Sequence, residues 1–498
     1  MSDRRALNSL STKLFYGFGS VAYGVKDNGF QTILLPFYNL VLHVPAHLVG
    51  LAILIALVID AFLDPIVGHL SDHLRTKWGR RHPLMYLSAL PVAVSYLLLW
   101  NPPHWSQGAL FLYLIVVAIV VRTFITFYEI PSSALIPEFT QNYDERTSFA
   151  SYRILFAWVG GLTMASLAFY VFMRPDATHK VGQLNPTGYS HYGLVAAVVM
   201  LFAILISAAG THRFIPQFRK PEARGLTLFE YAREMIATLN NRAFLLLLCS
   251  AVFSSLATGL VFALNFYVNT FFWKFDNKQI SVLTLSAFVA VIIAFLISPA
   301  ISRALGKKRA VISMFIFGTL VNSTPLILGL LGILAAKPSA GLISLIFACT
   351  SFGAAFAIGA GIMAVSMIAD VVEDSEIRTG RRSEGLFFAG SSFIQKSASG
   401  LGLFAAGLVL SAAHFPSDKL PGQVDPHIVW NFGVLYLVSV FGLYGISLWI
   451  VSYFPITRAS HEANLMKLSE EAALISPTIA VEDSIEDAHA RGIPSSAD

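Results

Sequence analysis

Apolar stretches of roughly 20 residues recur from end to end of the chain, separated by short segments rich in Pro, Gly, Asn and basic residues, the pattern of helices that cross a bilayer. About twelve stretches meet this criterion. They cover approximately 13–43, 47–72, 83–101, 106–138, 147–172, 190–212, 243–272, 279–302, 309–335, 339–369, 384–414 and 426–453. An all-α membrane protein is predicted. The longest internal polar stretch falls between the sixth and seventh segments and divides the chain into an N-terminal six-helix half (1–212), a central loop (213–242) and a C-terminal six-helix half (243–453). Within that loop Gly225–Thr227 followed by Leu228, Tyr231, Met235 and Leu239 fits either a short amphipathic helix or a simple connector. The tail, 454–498, loses periodicity from about Ser469 and gains Glu, Asp, Ser and Pro, so its distal part is expected to be disordered.

The two halves echo each other. "DPIVGHLSDHLRTKWGRR" after the second segment is matched by the shorter "SPAISRALGKKR" after the eighth, with Pro65 and Pro299 opening each and basic residues closing each. "PEFTQNYDERTSFASYR" pairs in the same way with "ADVVEDSEIRTGRRSEG". Parallel six-helix repeats with a mid-membrane site at their interface are the plan of the major facilitator fold.

Composition agrees, with 55% hydrophobic and only 13% charged residues among 498. Lys and Arg gather on alternate loops: the N-terminus (Arg4, Arg5, Lys13), the second loop (Arg75, Lys77, Arg80, Arg81), the central loop, the eighth (Arg303, Lys307, Lys308, Arg309) and the tenth (Arg378, Arg381, Arg382). Both termini are therefore expected in the cytoplasm of a bacterial-type inner membrane. The net charge of +5 is a topology signal and requires no nucleic-acid partner. The first apolar stretch is long and lacks a small-residue cleavage site, so it is expected to remain as a helix. Cys249 and Cys349 lie inside apolar segments without metal-like spacing and are expected to pack in the core.

Against this background the charged residues at membrane depth stand out, since each costs roughly 2.5–3.5 kcal/mol to insert. Lys26 and Asp27 lie in the first segment, Asp60 and Asp64 in the second, Arg122 and Glu129 in the fourth, Arg153 at the start of the fifth and Lys396 in the eleventh. Asp60 and Asp64 are one helical turn apart and share a face. Two bare anions there repel, so either one carboxyl holds a proton or a cation sits between them. An ion pair with Lys396 or Arg122 is the structural alternative. Thr126, three residues before Glu129, can add a hydroxyl to a hard-cation site. Lys26, Asp27, Glu129 and Arg153 offer both donors and acceptors, which suits a polyhydroxylated solute, or they form interhelical ion pairs. Lys396 alone comes from the second half, so its bridge to the carboxylates would change as the halves rock. In the loops, Asp72 with Arg80 and Arg81 is expected to act as a gating latch, and Asp370, Glu373 and Asp374 opposite Arg378, Arg381 and Arg382 as its counterpart.

"DAFLDPIVGHLSDHLRTKWGRRHP", "YEIPSSALIPEFTQNYDERTSFASYR" and "RRSEGLFFAGSSFIQKSASGLG", in this order, resemble the glycoside–pentoside–hexuronide:cation symporter family of the major facilitator superfamily. The resemblance spans all twelve segments. It implies that Asp60 and Asp64 bind a coupling cation, Na⁺, Li⁺ or H⁺, with Thr126 as a further ligand, and that Lys396 is needed for coupling. It also implies that Asp27 and Glu129 bind the sugar with Lys26 and Arg153 in support; no cofactor beyond the coupling ion is expected. Two features depart from the melibiose-permease type: Ser133 stands where a tryptophan closes a D-I-P-x-W context, and Arg122 adds a charge two turns before Glu129.

Four cations (Lys26, Arg122, Arg153, Lys396) balance four anions (Asp27, Asp60, Asp64, Glu129). A bound cation then leaves one excess positive charge, which an anionic solute such as a hexuronide would cancel, and Arg122 is placed with the substrate-binding residues on that account. A cation-coupled importer of a sugar, glycoside or hexuronide, monomeric in membrane lipid, is the leading expectation. Uptake of lysophospholipids or other amphiphiles is the alternative, which a headgroup-pairing Arg122 and the abundance of Phe, 39 in all, would fit. No His cluster, nucleophile elbow or phosphate loop points to an enzyme.

Overall fold

The computed structural model of the chain describes residues 9–140, 143–177, 179–217, 241–335, 337–379 and 384–456. Among the described residues the structure is helical, with one isolated bridge between Thr76 and Gly79. The first segment is pieced together from α1 (Leu10–Phe18), α2 (Ser20–Asn28), a π turn (Gly29–Ile33), α3 (Leu34–Pro36) and a second π turn (Phe37–Val41). The first half continues with α4 (Ala46–His73), α5 (His82–Leu99), α6 (Gln107–Ser133), the short α7 (Ile136–Phe139), α8 (Tyr143–Leu167) and α9 (Pro186–His212). The second half comprises α10 (Arg242–Tyr267), α11 (Asn277–Thr284), α12 (Ser286–Leu305), α13 (Lys307–Leu330), α14 (Ala340–Thr379), α15 (Glu384–Ala412) and α16 (Pro426–Ser452).

Eleven helical stretches among the described residues are long and apolar enough to cross a bilayer. The first predicted segment is not one of them. Lys26, Asp27, Asn28 and Gln31 interrupt its apolar run, although it stays helical over most of Leu10–Val41. Side chains such as Phe295, Leu296 and Ile292 on α12 and Leu112 and Val116 on α6 are exposed, as a lipid-facing surface requires.

Polar loop residues start the spans by satisfying the free amides of the first turn. Asn185 accepts from Thr187 N ahead of α9, Asn241 from the amides of Ala243 and Phe244 ahead of α10, and Asp425 from His427 N ahead of α16. Pro186 and Pro426 occupy first-turn positions, where a missing amide proton is harmless. Asp276 and Gln279 form a reciprocal capping box on α11.

One boundary differs markedly from expectation. The tenth segment was expected over 339–369, yet α14 runs on to Thr379, so Asp370, Glu373 and Asp374 belong to a helix and not to a loop. Hydropathy reports only the part of a helix that lies in lipid, whereas "VVEDSEIRT" continues as a polar helical extension. The central loop beyond residue 217, the distal tail and Arg381 lie outside the described residues.

The halves join through α4 and α15. A Cβ on Gly407 would meet the Ala46 backbone oxygen at 2.5 Å, and one on Gly50 would meet Phe404 Cα at 2.8 Å, so both positions need glycine for the helices to touch. Further bonds between halves collect at one end. Tyr267 OH donates to Asn39 Oδ1 (2.8 Å), Gln183 Nε2 to the Phe275 carbonyl (3.2 Å) and Ser281 Oγ to the Ser166 carbonyl (3.3 Å), while His47 Nδ1 lies 3.3 Å from Ser411 Oγ.

Candidate functional site

The site begins with the spacing of Asp60 and Asp64 on α4, which turns both carboxylates towards α6 and α15. The two then part company. Asp60 is buried, with 1% of its side chain exposed, and its Oδ2 accepts a hydrogen bond from Arg122 Nη2 at 2.9 Å. Its other oxygen accepts the Thr126 hydroxyl at 2.7 Å. Asp64 is more open and its Oδ2 meets Lys396 Nζ at 2.6 Å, while Lys396 Nζ lies 3.9 Å from Asp60 Oδ2. Thr126 Oγ1 is 3.5 Å from Asp64 Oδ1, so its single proton goes to the closer Asp60.

α6 supplies Arg122, Thr126 and Glu129 at helical spacings of four and three, which places them along one stripe facing α4. Arg122 is held from a second side by the Phe30 ring, 5.4 Å from its guanidinium carbon, and its Nε is buried without a hydrogen-bond partner. Phe30 belongs to the π turn that follows α2, a local widening often found where a helix shapes a site. Lys26 pairs with the neighbouring Asp27 at 2.7 Å; the lysine is enclosed and the aspartate carboxylate is open.

A cavity of about 220 Å³ opens between these elements. Lys26, Asp27, Phe30 and Gln31 border it from the first segment, Leu57 from α4, Arg122 and Glu129 from α6, and Gln395, Lys396, Ser399 and Leu403 from α15. Both halves contribute. Of the residues expected at a solute, Lys26, Asp27, Arg122 and Glu129 are brought together here. Arg153 is not among the lining residues: its Nη1 donates to Tyr16 OH at 3.2 Å and its guanidinium lies against the Tyr16 and Tyr23 rings. Gln31, Gln395 and Ser399 were missed in the sequence. Their signal was faint, Gln31 lying one turn beyond Asp27, and Gln395 and Ser399 flanking Lys396.

An alkali ion does not fit the carboxylate pair as it stands. Each Asp60 oxygen already accepts a donor of this chain, and the charged groups of Arg122 and Lys396 stand beside the two carboxylates where an ion would sit. Arg122 thus answers the alternative raised by the sequence, an ion pair within the membrane, for Asp60, and Lys396 answers it for Asp64.

At the loops, the expected contact between Asp72 and Arg81 is present and a further acid joins it. Arg81 meets Asp72 at 3.3 Å, and both Arg80, at 2.7 Å, and Arg81 bond to Glu138 on α7, an acid the sequence reading passed over. The turn that presents these arginines needs Gly79, whose φ is 76°, and is closed by Thr76 Oγ1 donating to the Gly79 carbonyl at 2.8 Å. Asp370, expected opposite Arg378, Arg381 and Arg382, bonds to Lys307 at the start of α13, while Arg381 and Arg382 lie outside the described residues. The helical extension of α14 carries Asp370 alongside α13, within reach of the eighth-loop lysine. Asp374 lies 3.5 Å from Asn241 Nδ2.

A sequence profile described as MFS/sugar transport protein matches residues 15–458. A relative from Synechocystis, named as the uncharacterized symporter sll1374, is 28% identical over 91% of this chain and 95% of its own. The isoprimeverose transporter of Lactiplantibacillus pentosus is 24% identical over 86% of this chain and 88% of its own. Among solved structures, the inward-open xylose transporter XylE of E. coli superposes with a TM-score of 0.58 over 92% of this chain and 98% of its own; at 15% identity it speaks to the fold alone. The sugar-transport description favours a sugar over an amphiphile.

Proposed function

Because the chain belongs to the MFS/sugar transport protein family, and is a multi-pass membrane protein of the major facilitator fold, we propose that it is a cation-coupled symporter. It imports a sugar, glycoside or hexuronide by alternating access. The observation that supports this most is the cavity bordered by both halves, in which Asp27 and Glu129 face Gln395, Lys396 and Ser399. Carboxylates accept hydrogen bonds from sugar hydroxyls, while Lys, Arg and Gln donate to them. At about 220 Å³ the cavity is smaller than the ~300–1,000 Å³ usual for ligand pockets, which suits a small polar solute.

Lys396 ties the second half to Asp64 of the first. Rocking of the halves stretches that contact, so its strength depends on which side the cavity faces. On the distribution of basic loops, the joined end, with His47 and Ser411, faces away from the cytoplasm in this reading. The test is uptake into proteoliposomes of monosaccharides, glycosides and glucuronides, with a lysophospholipid for contrast, under an imposed Na⁺ or H⁺ gradient. Gradient-driven accumulation of a sugar, lost in Asp64→Asn, is expected. Uptake that ignores every gradient and survives Asp64→Asn overturns the proposal.

A further inference from the structure

Paired aspartates on one helix face call for positive charge, and this chain supplies some of it from its own α6. Arg122 and Asp60 are enclosed together, with 4% and 1% of their side chains exposed. A guanidinium stays charged throughout the accessible pH range and, unlike a dissolved ion, cannot leave its position. The Phe30 ring lies against it, and the α6 backbone fixes its reach. Thr126, on the next turn of the same helix, occupies the other Asp60 oxygen.

We propose that Arg122 is a tethered counter-ion occupying the charge position that an alkali cation would take beside Asp60, so that the Asp60–Asp64 pair refuses Na⁺ and Li⁺ while Arg122 is in place. Three observations converge on this. Both Asp60 oxygens already accept hydrogen bonds. Lys396 covers Asp64, so each aspartate of the pair has a base of this chain beside it. An alkali ion placed beside Asp60 would stand next to a buried guanidinium, where like charges repel strongly. Arg122 therefore determines ion specificity at the site from its position two turns before Glu129.

The inference rests on the transport reading only in taking the aspartate pair as the ion site. It is tested on purified full-length protein without any solute, so its failure is separate from a failure of sugar uptake. Thermal unfolding is followed in NaCl, LiCl and choline chloride at equal ionic strength. The wild type is expected to unfold at one temperature in all three salts. Arg122→Ala is expected to gain a Na⁺- or Li⁺-specific rise on the order of 3 °C, and Arg122→Ala with Asp60→Asn to lose it again. If Arg122→Ala does not fold, Arg122→Gln takes its place. A Na⁺-specific rise in the wild type that Asp64→Asn abolishes overturns the proposal, and so does an Arg122 variant that gains no ion response. Direct binding of radioactive Na⁺ to the wild type gives a second readout, and binding lost in Asp64→Asn overturns the proposal in the same way.

Discussion

Asp60 and Asp64 are chemically identical and one turn apart, yet their surroundings give them different energetic roles. Asp60 and Arg122 form a fully enclosed pair, and removing one partner of such a pair strands the other charge, costing about 3–5 kcal/mol. Asp64 and Lys396 are 22% and 26% exposed, so water screens their bridge in part and its loss costs less than that of the enclosed pair. Asp60→Ala is therefore expected to lower the unfolding midpoint far more than Asp64→Ala, as followed by tryptophan fluorescence. Equal effects would mean that Arg122 finds another partner. Thr126→Val removes a hydrogen bond to a charged group and is expected to fall between them, at about 1.5–3 kcal/mol. The shared face of the two carboxylates was legible in their spacing of four. Their separate fates were not, because Arg122 lies 62 residues from Asp60, and Lys396 lies 332 residues from Asp64. Spacing along one helix carries no information about which distant helix lies opposite.

At the scale of elements, the site depends on how closely α4 and α15 approach, because they carry Asp64 and Lys396 respectively. Gly407 meets α4 backbone atoms and Gly50 meets α15 backbone atoms, so neither can accept a side chain by a simple rotamer change. Gly407→Leu is expected to push the helices apart near Ala46, destabilise the protein by about 1–3 kcal/mol and reduce sugar accumulation by loosening the Lys396–Asp64 contact. Unfolding and uptake measured together check this; full stability with full uptake would show that the crossing can shift without consequence. The spans themselves were readable from hydropathy, since lipid requires a long apolar run and internally bonded backbone. Two features escaped that reading for a physical reason. The π turns of the first segment change hydrogen-bond register without changing composition, and the polar end of α14 continues a helix beyond the lipid. Asp370 on that extension bonds to Lys307, 63 residues away in sequence.

For the whole molecule, helices from both parts of the chain border one cavity and are bonded to each other at one end. Alternating access requires that this end open, which breaks the Tyr267–Asn39, Gln183–Phe275 and Ser281–Ser166 bonds and separates His47 from Ser411. Each is an ordinary hydrogen bond worth about 0.5–1.5 kcal/mol net, so the set can hold one state without trapping it. A covalent tie at the same place is a different matter. His47→Cys with Ser411→Cys, in a protein whose Cys249 and Cys349 are replaced by alanine, is expected to join readily with a short bis-thiol reagent, because the native side chains approach to 3.3 Å. The tie spans α4 and α15 far from Asp27 and Glu129, so a solute should still reach the cavity from the opposite side while turnover stops. Reduction of a cleavable tie should restore uptake. Full-rate uptake by the joined protein would show that the solute crosses without separation of this end, and rocking of the two halves would have to be abandoned.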